Sequence, residues 1–319
     1  MSYLLQLFAN NLLPIFLVAG SGYLLARWRQ IDPKSLSNLI FYLFAPCLLF
    51  NLILHSKLET DIILRMSIFT LGSLSLAVLA AWLICRILKF NRKITTLILM
   101  AALLPNAGNF GLATVKFAFG EDTLTYASLY FMISTIVLYT GGVFLASMGT
   151  STLRQALVGL LKAPVIYAVA LGMLIASMRW GIPMPIDRAI VLAGDATIPA
   201  MLVLLGLQIA ANGKETGAAS SCPGQSTHRM IACLKPITVA CVTRLVIAPL
   251  IGFGLAYVLS LKGAPAQAAI TESATPVAVM VTVLATEYDI EPSLASMMVL
   301  FSTLLSPLTL TPILAWLGG

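Results

Sequence analysis

Apolar runs long enough to cross a bilayer succeed one another along the whole chain, with little room between them. A membrane-spanning helix needs about 20 apolar residues, and a run of roughly 18 is already a candidate. Such runs lie near residues 4–26, 36–54, 62–88, 94–119, 123–147, 163–179, 188–210, 232–260, 264–286 and 293–317. Strict apolar–polar alternation is absent, so each run reads as helix rather than strand. Of the 319 residues 59% are hydrophobic and only 10% are charged, where soluble domains carry about 25% charge. The chain therefore reads as an all-α polytopic membrane protein with ten helices.

The net charge of +7 does not indicate nucleic acid as a partner. The basic residues are scattered between the runs, as loop anchors are, and form no continuous track for phosphates. Twelve Lys and Arg flank the loops on one side of the membrane and six on the other, with Arg244 left inside the eighth run. The positive-inside rule then places both termini on the non-cytoplasmic side of a cytoplasmic (inner) membrane. The N-terminal MSYLLQLFANNLLPIF has no basic residue before its apolar region and reads as a retained span rather than a cleaved signal. Cys47, Cys85 and Cys241 sit in apolar runs and read as small hydrophobes. Cys222 and His228 share a polar loop, but two candidate ligands make no metal site.

The halves of the chain repeat each other. Pro14, Gly22, Arg29 and Pro33 recur 150 positions later as Pro164, Gly172, Arg179 and Pro183, and Pro46 recurs as Pro199. Ala127-Ser128 and Ser134-Thr135 recur as Ala295-Ser296 and Ser302-Thr303. The change in offset falls where the second half carries a longer loop, 211–229, whose role the sequence does not reveal. Residues 1–150 and 151–319 thus form two five-helix repeats. An odd number of spans makes them enter the membrane with opposite orientations, the arrangement typical of secondary transporters.

The fourth run is interrupted by LLPNAGNFGLA (103–113), and Pro105 is matched in the ninth run by Pro276 within AITESATPVAVMV. Proline removes a backbone donor and clashes with the preceding turn. Inside a membrane, unwound backbone persists only where protein buries it or a wet cavity lines it. Each run is therefore expected to be two half-helices joined by an extended stretch. Asn106, Gly108, Asn109 and Gly111, with the adjoining amides, are expected to contact an anion, which half-helix N-termini favour. Glu272, Ser273 and Thr275 precede Pro276 and are expected on the same side of the crossing, Thr275 to contact the substrate and Ser273 to serve ion or proton coupling with Glu272. A carboxylate at that depth is costly and usually functional, so Glu272 is expected to carry a proton or help hold a cation.

These residues carry a resemblance. LPNAGNFGL (104–112), DATIPAMLVLLGLQI (195–209), TRLVIAPLI (243–251), ESATP (272–276) and LASMMVLFSTLLSPLTLTPIL (294–314) are similar to the bacterial permeases of the auxin efflux carrier family, relatives of the plant PIN-type exporters. The resemblance spans nearly the whole chain. It implies the fold of bile-acid/sodium symporters, with a scaffold from the first, second, sixth and seventh helices and a mobile transport domain from the rest. It also implies an elevator-like carrier of organic anions such as malate or malonate. Val277 and Met280 stand where the first crossing has Asn106 and Asn109, so the two halves are expected to bind asymmetrically.

Further candidates are Asn51 and Gln208 along the substrate path, Ser134 beside the crossing, and Asp195 as an ion-site acid. Arg244 is expected to snorkel or to neutralise a helix dipole. No cofactor is expected beyond proton or sodium coupling. The expected partners are a small organic anion and the bilayer, with a homodimer as a possible assembly. A bile-acid-type sodium symporter is the alternative within transport, and a membrane sensor or channel the alternative outside it. An enzyme is not expected: HExxH, an intramembrane GxGD acid pair and GxxxxGK[ST] are all missing.

Overall fold

A computed structural model describes residues 2–29, 31–55, 59–147, 164–178, 180–218 and 227–319, with backbone alone for 2, 212–218 and 227–233. Helices α1 (Tyr3–Trp28), α2 (Pro33–His55) and α3 (Thr60–Ile87) lead into two short helices, α4 (Arg92–Leu103) and α5 (Leu112–Phe119). Next come α6 (Glu121–Ala146), α7 (Pro164–Met178), α8 (Met184–Ala211) and α9 (Leu234–Val258). A second short pair, α10 (Ala264–Ser273) and α11 (Met280–Glu287), precedes α12 (Pro292–Leu317). Seven of these (α1, α2, α3, α6, α8, α9 and α12) are long and apolar enough to cross a membrane, and α7 is a shorter apolar helix. Among the described residues there is no strand, only one isolated antiparallel bridge, Pro105 to Val277.

Local chemistry sets the ends and bends. Asp32 and Asn91 cap α2 and α4, their side chains accepting the backbone N–H of Lys34 and Ile94. Gly120, at φ +84°, separates α5 from α6. Pro14, Pro46 and Pro249 each follow a widened π-helical turn, at Phe8–Leu12, Ile40–Phe44 and Thr243–Ile247. A proline ring collides with the carbonyl four residues earlier. Those carbonyls, of Asn10, Tyr42 and Leu245, all lie in the widened turns, which relieve the collision without ending the helix.

Small residues allow close helix packing. α1 lies along α8, where Gly22 abuts the Val203 carbonyl and Gly206 abuts the Ala19 carbonyl. α2 packs on α7 and on the start of α8, with Gly194 against the Leu48 backbone. α3 packs on α4, α6 and α9, α10 lies against α6, and α12 contacts α9 and α11.

The 211–229 segment is helical at its edges, to Ala218 and from Thr227. Residues 219–226, with Cys222, lie outside the described residues, as do the side chain of His228 and residues Lys57, Arg154, Lys162 and Arg179.

Candidate functional site at the crossing of two broken helices

Both interrupted runs break at their prolines. Helix α4 ends at Leu103 and α5 follows a π-helical turn over Ala107–Gly111. The other break separates Ser273 from Met280. The two gaps meet. Asn106 N–H donates to the Pro276 carbonyl and Ala278 N–H to the Leu104 carbonyl, both at 2.9 Å. Each extended stretch thereby supplies the partners that the other lost when its helix was broken, which is how unwound backbone survives at membrane depth.

Side chains satisfy what remains. Val277 N–H donates to Ser302 Oγ at 3.1 Å, from α12. Arg244 of α9, 1% exposed, donates to the carbonyls of Ala102, Ser273 and Thr275 at 3.0 to 3.3 Å. In the sequence Arg244 reads as snorkelling or neutralising a helix dipole; here it is buried against carbonyls at the helix ends. Ser302→Ala should strand the buried Val277 amide at a cost of about 1–3 kcal/mol. The expected result is a lower melting temperature in detergent, with Thr309→Ala, a half-buried self-bonded hydroxyl, as the near-neutral control.

Beside the crossing lies a cavity of about 330 Å³. One wall is the first break, Leu104 to Asn109, and another is Ala278, Val279 and Met280. The facing side comes from α2 (Ser37, Asn38, Phe41, Tyr42), α6 (Phe131, Ser134, Thr135, Tyr139), and Met201, Leu204 and Gln208 of α8. The starts of both second half-helices, at Ala107 and Met280, line this space. Helix starts concentrate unpaired N–H groups and partial positive charge, the environment an anion needs. Asn106 is 4% exposed and lines the cavity, and its Nδ2 has no partner among the described residues. Gln208 Oε1 is likewise unpartnered.

Of the candidate residues, the cavity gathers Asn106, Gly108, Asn109, Ser134 and Gln208. The others lie elsewhere. Gly111 is buried against Glu272, whose carboxylate occupies the place a Cβ would take. Glu272 is fully buried, and neither carboxylate oxygen has a partner among the described residues. It sits on the Gly111 side of the crossing, near Arg244 and Tyr130, rather than across from Asn106 and Asn109. Thr275 Oγ1 donates to the Glu272 carbonyl and Ser273 Oγ to that of Ile270. Asn51 does not line the cavity; its carbonyl meets His55 Nδ1. Asp195 is exposed, at the bend before Thr197. The cavity's aromatic wall, Phe41, Tyr42, Phe131 and Tyr139, was not anticipated, because aromatic residues in apolar runs read as core. Among the described residues no cluster of metal-ligating side chains forms.

Paired broken helices around a polar-ended cavity define a membrane carrier. The chain belongs to the membrane transport protein family, whose model matches residues 7–150 and 146–314. It is 25% identical over 309 residues to an "Uncharacterized transporter" of Methanothermobacter thermautotrophicus, covering 94% of this chain and 95% of that one. It is 27% identical to a "Putative malonate transporter" of Rhizobium meliloti, with 95% and 93% covered. It is 29% identical over 220 residues to auxin efflux carrier component 6 of Arabidopsis thaliana, matching 66% of this chain and 34% of the plant protein. These relatives are membrane transporters, not enzymes, and the family includes the auxin efflux carriers.

Proposed function

We propose that the protein is a secondary carrier of small organic anions in the cytoplasmic membrane, with carboxylates such as malate or malonate as substrates. The observation that carries this reading is the cavity at the crossing, where two half-helix starts and the unpartnered Asn106 amide converge. A carboxylate there would take N–H donors from Ala107, Gly108 and Asn109 and from the Asn106 side chain. The name of the Rhizobium relative supports a carboxylate cargo.

In this reading the chain crosses the membrane ten times as an inverted 5+5 repeat, with α4–α5 and α10–α11 each counting as one broken crossing. Helices α1, α2, α7 and α8 form the scaffold, and the remainder form a transport domain that shifts past it like an elevator. Both termini lie outside the cytoplasm. The cavity lies between α2 and α8 of the scaffold and the crossing, where such a shift would carry cargo across. Glu272 couples the movement to a proton.

A second reading of the cargo has its own support. Among the described residues the cavity is lined by four aromatic residues and by no Lys, Arg, Asp or Glu, which suits one carboxylate on an apolar body better than two carboxylates on a short chain.

The test is uptake into proteoliposomes of labelled mono- and dicarboxylates, with and without imposed sodium and proton gradients. Accumulation of dicarboxylates supports the first cargo, and accumulation of aromatic monocarboxylates alone supports the second. Ungated, non-saturating flux would instead indicate a channel. Asn106→Ala should raise KM about tenfold or more, since a hydrogen bond to a charged group contributes about 1.5–3 kcal/mol. An unchanged KM would remove Asn106 from the site.

A further inference from the structure

An arginine midway along an apolar span is costly to place and calls for a specific partner. Arg244 finds three carbonyls there. Ala102 belongs to the last turn of α4, Ser273 ends α10, and Thr275 lies in the gap just beyond it. The guanidinium therefore binds the C-terminal ends of both first half-helices through four hydrogen bonds. Each such end carries roughly half a unit of negative charge, so about one full negative charge converges on a single point. A permanently charged planar fork neutralises that sum while reaching both rods at once. The π-helical turn Thr243–Ile247 places this residue. Gly252 keeps α9 close, since a Cβ there would run into Ser273 Oγ.

In carriers made from interrupted helices, unwound carbonyls and half-helix C-terminal ends are the groups that coordinate a coupling sodium ion. Here those groups already hold a guanidinium. We infer that Arg244 is the resident cation of this carrier: it binds the crossing carbonyls that sodium would otherwise require, and uptake draws on no sodium gradient. The uptake half of this inference rests on the transport reading above. Arg244 acts as a positioning residue, holding the crossing so that the opposite half-helix starts face the cavity.

The experiment compares Arg244, Arg244→Lys and Arg244→Ala in sodium, potassium and guanidinium chloride at low millimolar concentration. Without any substrate, the wild-type protein should melt at the same temperature in sodium and in potassium. Arg244→Ala should melt lower by about 5 °C or more and recover part of that loss with guanidinium. Arg244→Lys, a point charge without the fork, should fall short of the wild type. In proteoliposomes, labelled malonate uptake by Arg244→Ala should drop about tenfold or more and return in part with guanidinium. A wild type stabilised or driven by sodium over potassium overturns the inference. So does an Arg244→Ala protein that behaves as wild type or ignores guanidinium, or a lysine variant equal to arginine. If Arg244→Ala does not fold, the wild-type cation comparison and the lysine variant still decide. If no carboxylate enters while the melting results come out as stated, the transport reading falls and the cation assignment stands.

Discussion

Vesicles carrying Glu272→Gln should take up labelled carboxylate about a hundredfold more slowly than wild type, and their residual uptake should ignore an imposed proton gradient. Glu272 is fully buried, and neither carboxylate oxygen has a partner among the described residues; it lies near Arg244 of α9 and Tyr130 of α6. In the proposed mechanism, loss of the proton-carrying group removes the coupled step, and a hundredfold loss corresponds to about 2.7 kcal/mol. Glutamine keeps the shape against Gly111 but can neither carry nor release a proton. Wild-type vesicles should accumulate more carboxylate when protons flow with it. Equal uptake by the two proteins at every pH would strip Glu272 of its coupling role.

The second large effect concerns the fold. Gly206→Ala should reduce stability by about 3 kcal/mol, a sizeable part of the roughly 5–15 kcal/mol that holds a typical protein folded. A Cβ on Gly206 would fall on the Ala19 carbonyl and lie 2.6 Å from Tyr23 N. Both are backbone atoms of α1 and neither can rotate away, so α1 and α8 would have to part. Close approach through small residues is what associates helices in a bilayer, where no hydrophobic driving force acts between them. Gly254→Ala, with nothing within 4 Å, is the control and should be neutral or slightly stabilising. Thermal melts in one detergent compare the two, and a Gly206→Ala midpoint matching that of Gly254→Ala would refute the packing argument.

Much of this architecture was legible in the sequence because bilayer thickness fixes run length. The apolar runs match the helices within a few residues, and the breaks fall at Pro105 and Pro276. The cavity side of the first break was also legible, since Asn106, Gly108 and Asn109 are polar or small where lipid-facing residues are not. The direction of Glu272 was not. Which side of a crossing a residue lies on follows from chain order, but where its side chain points depends on helix rotation, set here by Arg244 and Gly111 from other elements. Asp195 is exposed at a turn within α8, an exposure that chain position alone does not reveal. The role of Arg244 needed three carbonyls from two distant runs to be seen together.

The exchange of hydrogen bonds between the two gaps limits how the molecule can move. Leu104 and Asn106 are tied to Ala278 and Pro276, so neither rod can slide or straighten alone without exposing amides that nothing else would cover. In the elevator reading proposed above, a solute held at this junction would travel only with the whole cross. The yielding surface in that reading would be the cavity's seam with α2 and α8, to which residues of both helices contribute.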